Sequence, residues 1–234
     1  NNEIGSIQPI QAISDLLANE PTISFHVDAV QAIGKVPVSS YLTDRVDFAT
    51  FSGHKFHAVR GVGFVYKKAG KKITPLLTGR GQEKDLRSTT ENVAGIASMA
   101  KALRLVTDKE ALSLPKIAKM KKVIFDELSK YEDITLFSGE GDNFAPNILT
   151  FGIKGVRGEV VVHAFEEHQI YISTTSACSS KAGKPAGTLI SMGVPSKLAQ
   201  TAVRISLDDD NDMGQVEQFL TIFKQVYAKT QKVR

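Results

Sequence analysis

The stretch DFATFSGHKFHAVRGVGFVYKK, residues 47–68, decides the fold. An apolar run with strand character, 48–51, ends in Ser52, Gly53, His54 and Lys55. A Gly-x-Gly turn at Gly61 and Gly63 then leads into a second apolar run, 62–66. The lysine therefore sits at the mouth of two strands, not on a helix face. Taken alone it reads as a loop lysine in water. Its surroundings in the chain change that reading.

Upstream, residues 8–17 predict a helix, with Pro9 tolerated in its first turn. Residues 22–27 form a short β-branched, apolar run and read as a strand. Strand–helix–strand order with near-continuous apolar runs predicts an α/β fold with a parallel or mixed sheet covered on both faces. The character changes after Gly79 and Gly81. Val93, Ile96, Ala97, Ala100 and Leu103 recur at helical spacing over 92–106. Ser113 is expected to cap a second helix running to residue 130, with Ile117, Met120, Ile124 and Leu128 on one stripe. Strands are expected at 134–137, 147–152, 171–172 and 203–207, and helices at 158–168 and 213–228. The expected organisation is a remainder of a large α/β domain over 1–90 and a small α+β domain over 91–234. The strands of the first part are too few to close a core, and the chain has no initiator Met. An N-terminal portion is therefore expected to be missing or supplied by another chain.

Composition narrows the class. A chain of 234 residues with 42% apolar content supports one or two domains with a real core. No apolar run approaches the ~18 residues of a membrane span, and nothing resembles a signal peptide. The single cysteine, Cys178, permits no intrachain disulfide and fits a reducing cytoplasm. The net charge of +4 comes from short, scattered groups such as Lys67, Lys68, Lys71 and Lys72, then Lys119, Lys121 and Lys122. These read as solvated surface, and no direct nucleic-acid contact is expected. The histidines show no metal-ligand spacing, so no metal site is expected.

Chemistry enters with FHVDAVQAIGKVPV, residues 25–38. Asp28 closes an apolar strand, where a carboxylate is costly unless it meets a cation or water. Ligands bind at this edge of open α/β sheets. By itself Asp28 reads more simply as a cap for the following helix. Lys55 at the end of a neighbouring strand changes the balance. An amine and a carboxylate sharing one crevice suit pyridoxal phosphate: the amine takes the aldehyde and the carboxylate keeps the pyridine nitrogen protonated. Ser52 and His54 are placed to contact the phosphate. Cys178 lies in TTSACSSKAGKPAG, residues 174–187, whose composition is that of an exposed loop. Lys181 and Lys184 there favour the thiolate.

Six segments in order now carry a resemblance: NNEIGSIQPI (1–10), FHVDAVQAIGK (25–35), FSGHKFHAVRGVGFVY (51–66), GRGQEKDLRSTTENVAGI (79–96), STTSACSSKAGKPAGTLISMG (173–193) and VRISL (203–207). Together they resemble the cysteine desulfurases, in the class V aminotransferase group of fold-type I pyridoxal-phosphate enzymes. The SACSS pattern is similar to the group with a long cysteine loop. The resemblance covers essentially the whole chain, from inside the family's large domain to its C-terminus. It implies Lys55 as the Schiff-base lysine, Asp28 on the pyridinium nitrogen, Gln31 on the ring hydroxyl, and Ser52 and His54 on the phosphate. It implies that Thr90 reaches the phosphate of a second subunit's cofactor, hence a homodimer. Asn2 and Arg204 would hold the substrate carboxylate, and Cys178 would take sulfur from L-cysteine as a persulfide, releasing L-alanine. The sulfur acceptor would be an iron–sulfur scaffold or a tRNA-thiolation enzyme. Other class V activities, selenocysteine lyase or aminotransferase, and a non-catalytic sulfur-transfer partner remain as alternatives. Because the family's N-terminal phosphate-binding segment and ring-stacking side chain are not found here, the piece alone is expected to be inactive or completed by a companion chain.

Overall fold

The computed structural model describes residues 1–175 and 187–231. They fall into two compact units, one of Pro9–Ala111, the other joining Asn1–Gln8 to Leu112–Arg234. The division expected at residues 90 and 91 differs from this one. Residues 91–111 go with the first unit, so the boundary falls inside a helix that begins at Val93 and runs past residue 111. Residues 1–8 go with the second, for hydrogen-bonding reasons given below.

In the first unit, α1 (Ile10–Leu16) starts directly after Pro9, whose missing N–H would be unpaired at a helix start in any case. The strands β1 (His26–Asp28), β2 (Phe48–Ser52) and β3 (Gly63–Lys67) form a mixed sheet in that order, β1 parallel and β3 antiparallel to β2. β1 is shorter than the apolar run 22–27 suggests. Its ladder stops at His26 because Phe25 spends its N–H on the Asp47 carboxylate. Val27, Ala49, Phe51 and Phe56 are buried, and Phe51 stacks on Phe64 at 4.5 Å between ring centres. Burying a side chain of this size contributes about 1.5–3 kcal/mol.

Asp47 pins the start of β2. Its buried carboxylate accepts from Phe25 N and Arg45 Nη1, both at 2.9 Å, and meets Lys71 Nζ at 3.0 Å. Burial pushes this carboxyl up. The Phe25 N–H and the Lys71 and Arg45 cations outweigh that effect and hold it below the usual range.

The helix α2 (Val93–Leu128) is one element where two were expected. Pro115 lies inside it, and Ser113 is an interior residue instead of a cap. An interior proline costs about 3 kcal/mol. The stripe that follows, Ile117, Met120, Ile124 and Leu128, is buried almost completely and offsets it.

The second unit carries an antiparallel sheet of β4 (Ile134–Leu136), β5 (Ile148–Ile153), β6 (Ser173–Thr174) and β7 (Ala202–Ser206), in the order β4-β5-β7-β6. The sheet packs with α3 (Gly158–Glu166) and α6 (Met213–Gln231), and two short helices, α4 (Gly187–Ser191) and α5 (Ser196–Ala199), precede β7. All six residues of β5 are buried. Leu149, Phe151 and Ile153 enter the main core with the α2 stripe, Phe165 and Phe223. The opposite face lies under the N-terminal residues: Ile4 packs with Phe137, Leu189 and Ala202, and Thr150 Oγ1 donates to Glu3 O. Residues 1–8 thus complete the sheet's second layer. Among the described residues no helix is long and apolar enough to cross a membrane.

Candidate functional site

Two groups of the expected residues are built by local chain geometry, one in each unit. In the first unit, the parallel pairing of β1 and β2 brings their carboxyl ends to one edge, with Asp28 opposite Thr50. Asp28 is exposed, and its Oδ1 accepts from Val30 N at 3.0 Å. The bond caps a turn over 30–35, where a helix was expected. Gln31 follows in the turn after β1 and is half-buried. His26, on the same strand face as Asp28, places Nε2 3.3 Å from Thr50 Oγ1.

β2 ends at Ser52 and runs at once into a 3-10 turn, Gly53–Phe56, which presents His54 and Lys55. The turn is anchored from both sides. Phe56 is buried, Gly53 N donates to Val62 O at 2.9 Å, and Ala58 N donates to Gly53 O at 3.0 Å. His57 closes it in the left-handed region at φ 70°. Lys35 Nζ donates to the Lys55 carbonyl at 2.6 Å, which fixes the lysine's backbone while its side chain stays half-exposed. Gly63, opposite Ser52, has to be glycine: a Cβ there would lie 2.4 Å from the Phe51 carbonyl oxygen. Asp28, Ser52, His54 and Lys55 therefore share one sheet edge. Thr90 is exposed just ahead of α2, and among the described residues no hydrogen bond joins it to that edge.

In the second unit, Arg204 lies on β7 between Thr150 of β5 and Ser173 of β6. Its Nη1 donates to the Asn2 carbonyl at 2.7 Å, so two residues from opposite ends of the chain meet. The N-terminal segment is held there by a series of bonds. Asn1 Oδ1 accepts from the Glu3 and Ile4 amides. Ser138 Oγ donates to Ile4 O at 2.7 Å, and Ala145 N donates to Gly5 O at 2.7 Å. Ile7 N donates to Asn143 O at 2.8 Å. Cys178, with Lys181 and Lys184, lies outside the described residues.

One residue behaves differently from its reading as surface. Lys121, expected to be solvated with Lys119 and Lys122, is only 5% exposed. Its Nζ donates to Ala145 O at 3.0 Å and lies 5.8 Å from the centre of the Phe144 ring. Burial pulls its pKa down to about 8 against the opposing pull of Glu140. The signal was in the spacing: residue 121 falls four after Ile117 and three before Ile124, on the buried stripe.

The mixed α/β sheet with its loaded carboxyl edge, followed by an α+β unit, is part of the fold-type I architecture of pyridoxal-phosphate enzymes. Residues 1–219 match the family described as Aminotransferase class-V, and the chain belongs to that family. Members of the family depend on pyridoxal phosphate. The chain is 47% identical over 233 residues to a "NifS/IcsS protein homolog" of Lactobacillus delbrueckii subsp. bulgaricus, covering all of this chain and 60% of that protein. It is 37% identical over 209 residues to a "Cysteine desulfurase IscS" of Dictyoglomus turgidum, covering 88% of this chain and 52% of that one. A solved structure described as "NIFS-LIKE PROTEIN" superposes with a TM-score of 0.84 at 32% identity, over 97% of this chain and 59% of that one. The chain thus spans between half and three-fifths of the length of these relatives.

The residues present fit the family's cofactor by their chemistry. One edge offers an amine for an aldehyde, a carboxylate for a ring nitrogen, and a hydroxyl with an imidazole for a phosphate.

Proposed function

We propose that this chain works within a cysteine desulfurase, converting L-cysteine to L-alanine with transfer of sulfur to Cys178. The observation that carries the reading is the common edge of Asp28, Ser52, His54 and Lys55 on two parallel strands. Its naming rests on relatives called cysteine desulfurase.

In this reading Lys55 holds the cofactor and moves the substrate α-proton, Asp28 faces the pyridine nitrogen, and Gln31 faces the ring hydroxyl. Ser52 and His54 hold the phosphate, and Thr90 serves the phosphate of a second subunit in a homodimer. Pyridoxal phosphate, when bound, supplies a conjugated ring that accepts the electron pair released at the substrate's α-carbon. Arg204, with Asn2 beside it, binds the substrate carboxylate through its guanidinium. The Cys178 thiolate attacks the substrate sulfur: an S–S bond forms and the substrate Cβ–S bond breaks. The electron pair stays with the carbon, which is protonated to alanine, and the enzyme is left as a persulfide. A cytoplasmic setting and delivery to an iron–sulfur scaffold or a tRNA-thiolation enzyme complete the proposal.

The test uses the full-length protein that carries this chain. Alanine and protein persulfide should form together from cysteine, and Cys178→Ala should abolish the persulfide. Alanine from selenocysteine with no persulfide from cysteine would reassign the protein as a selenocysteine lyase. Amino transfer to a keto acid, indifferent to Cys178, would make it an aminotransferase.

A further inference from the structure

A lysine side chain normally extends to keep its ammonium in water. Lys119 and Lys122 do so on the same helix, while Lys121 turns inward. Burying an ammonium is unfavourable unless bonds inside the protein replace water. The replacement here is specific: the carbonyl of Ala145, with the Phe144 ring close by and Glu140 attracting from the same loop. The carboxylate of Glu140 is itself tied to Lys122, which also pairs with Asp126.

Ala145 is the link to the N-terminus. Its carbonyl takes Lys121, and its N–H holds the Gly5 carbonyl at 2.7 Å. Phe144 forms a β-bridge with Ser6, and Asn143 O accepts from Ile7 N. The residues so held continue backwards to Glu3, bonded to Thr150, and to Asn2, bonded to Arg204.

We propose that Lys121 is a positioning residue for the Asn2–Arg204 pair, clamping the 139–146 loop that holds residues 3–7 in place. The assignment of that pair to the substrate carboxylate rests on the desulfurase reading, whereas the clamp itself does not. Met at position 121 fills the space but offers Ala145 no donor.

The test is hydrogen exchange on the full-length protein, beside steady-state kinetics of its holoenzyme. Lys121→Met should speed exchange of the Ala145 and Ile7 amides about tenfold or more, the loss expected for one charge-assisted bond. Amides of the β5–β7 ladder should keep their rates, and Lys119→Met should change nothing. In the holoenzyme KM for cysteine should rise about tenfold with kcat within about twofold. Lys121→Arg, which restores a donor, should recover most of both effects. Unchanged exchange at Ala145 and Ile7 overturns the clamp. Faster exchange spread equally over the β5–β7 ladder does the same, since it marks a general loss of stability. Faster local exchange with an unaltered KM overturns the positioning role. A wild-type holoenzyme that makes no alanine from cysteine sinks the desulfurase reading alone, and the exchange data still decide the clamp.

Discussion

Arg204 and Asn2, 202 residues apart in the chain, meet through a 2.7 Å hydrogen bond from the guanidinium to a backbone carbonyl. The bond comes from one Nη1 donor and orients the guanidinium. The rigidity comes from elsewhere: β7 is flanked by β5 and β6, and the N-terminal segment is laced to the loop before β5.

Arg204→Lys keeps the charge but loses the planar fork. A lysine binds a carboxylate as a point charge and cannot hold it in two parallel bonds. KM for cysteine in the full-length holoenzyme should rise between about tenfold and a hundredfold, the range for losing one charged hydrogen bond. Steady-state kinetics check this, and an unchanged KM would remove Arg204 from the carboxylate site.

Gly63→Ala addresses the turn that presents Lys55. The new Cβ would meet the Phe51 carbonyl oxygen at 2.4 Å, and backbone cannot step aside as a flexible side chain does. Overpacking of this kind costs about 1–3 kcal/mol. The variant should lose that much in urea denaturation. Its cofactor absorbance should also weaken, because β2 and β3 bracket the 3-10 turn. Stability equal to wild type would show that the strands separate easily there.

Asp47→Asn leaves the shape of the β2 anchor and removes its charge. Arg45 and Lys71 would then face a neutral amide, at a cost of about 3 kcal/mol for breaking a buried pair. The carboxyl is held below its usual range in the folded protein. The stability it contributes is therefore present above the unfolded-state pKa near 3.8 and is lost as pH falls through the lower folded value. Unfolding followed from neutral pH down into acid should show a steeper acid loss in wild type than in the variant. Parallel curves would mean that other carboxylates govern the acid limb.

These side chains also mark where the sequence was readable. The strand–turn–strand around Lys55 was legible because apolar runs, Gly61 and Gly63 are local signals, and the structure places β2 and β3 within a residue or so of the expected bounds. Asp28 and Lys55 on one edge followed from parallel pairing. What depended on distant partners was not legible. Residues 171–172 read as a strand, but the ladder to β7 forms only at Ser173 and Thr174. Ser113 read as the cap of a second helix, and only the depth at which Ile117 and Met120 are buried explains why α2 runs on through Pro115. Lys121 looked like its charged neighbours, since the partners that bury it, Phe144 and Ala145, lie in a loop that the sequence alone does not bring near.

Lys121 also gives the alkaline counterpart of Asp47. Burial lowers its pKa from 10.5 in the unfolded chain to about 8 when folded. Between those values the unfolded state binds a proton that the folded state has released, so stability rises with pH across that window. Below about 8 both states are charged and the burial penalty is constant. Lys121→Met has no such proton to release. Wild type should therefore gain stability relative to the variant from pH 8 to 10.5, whatever their difference at neutral pH. Urea denaturation at intervals across the window, with the difference between the two proteins plotted, isolates this group from other titrating lysines and tyrosines. A flat difference would mean that the ammonium reaches water in the folded protein, contrary to its bond with Ala145.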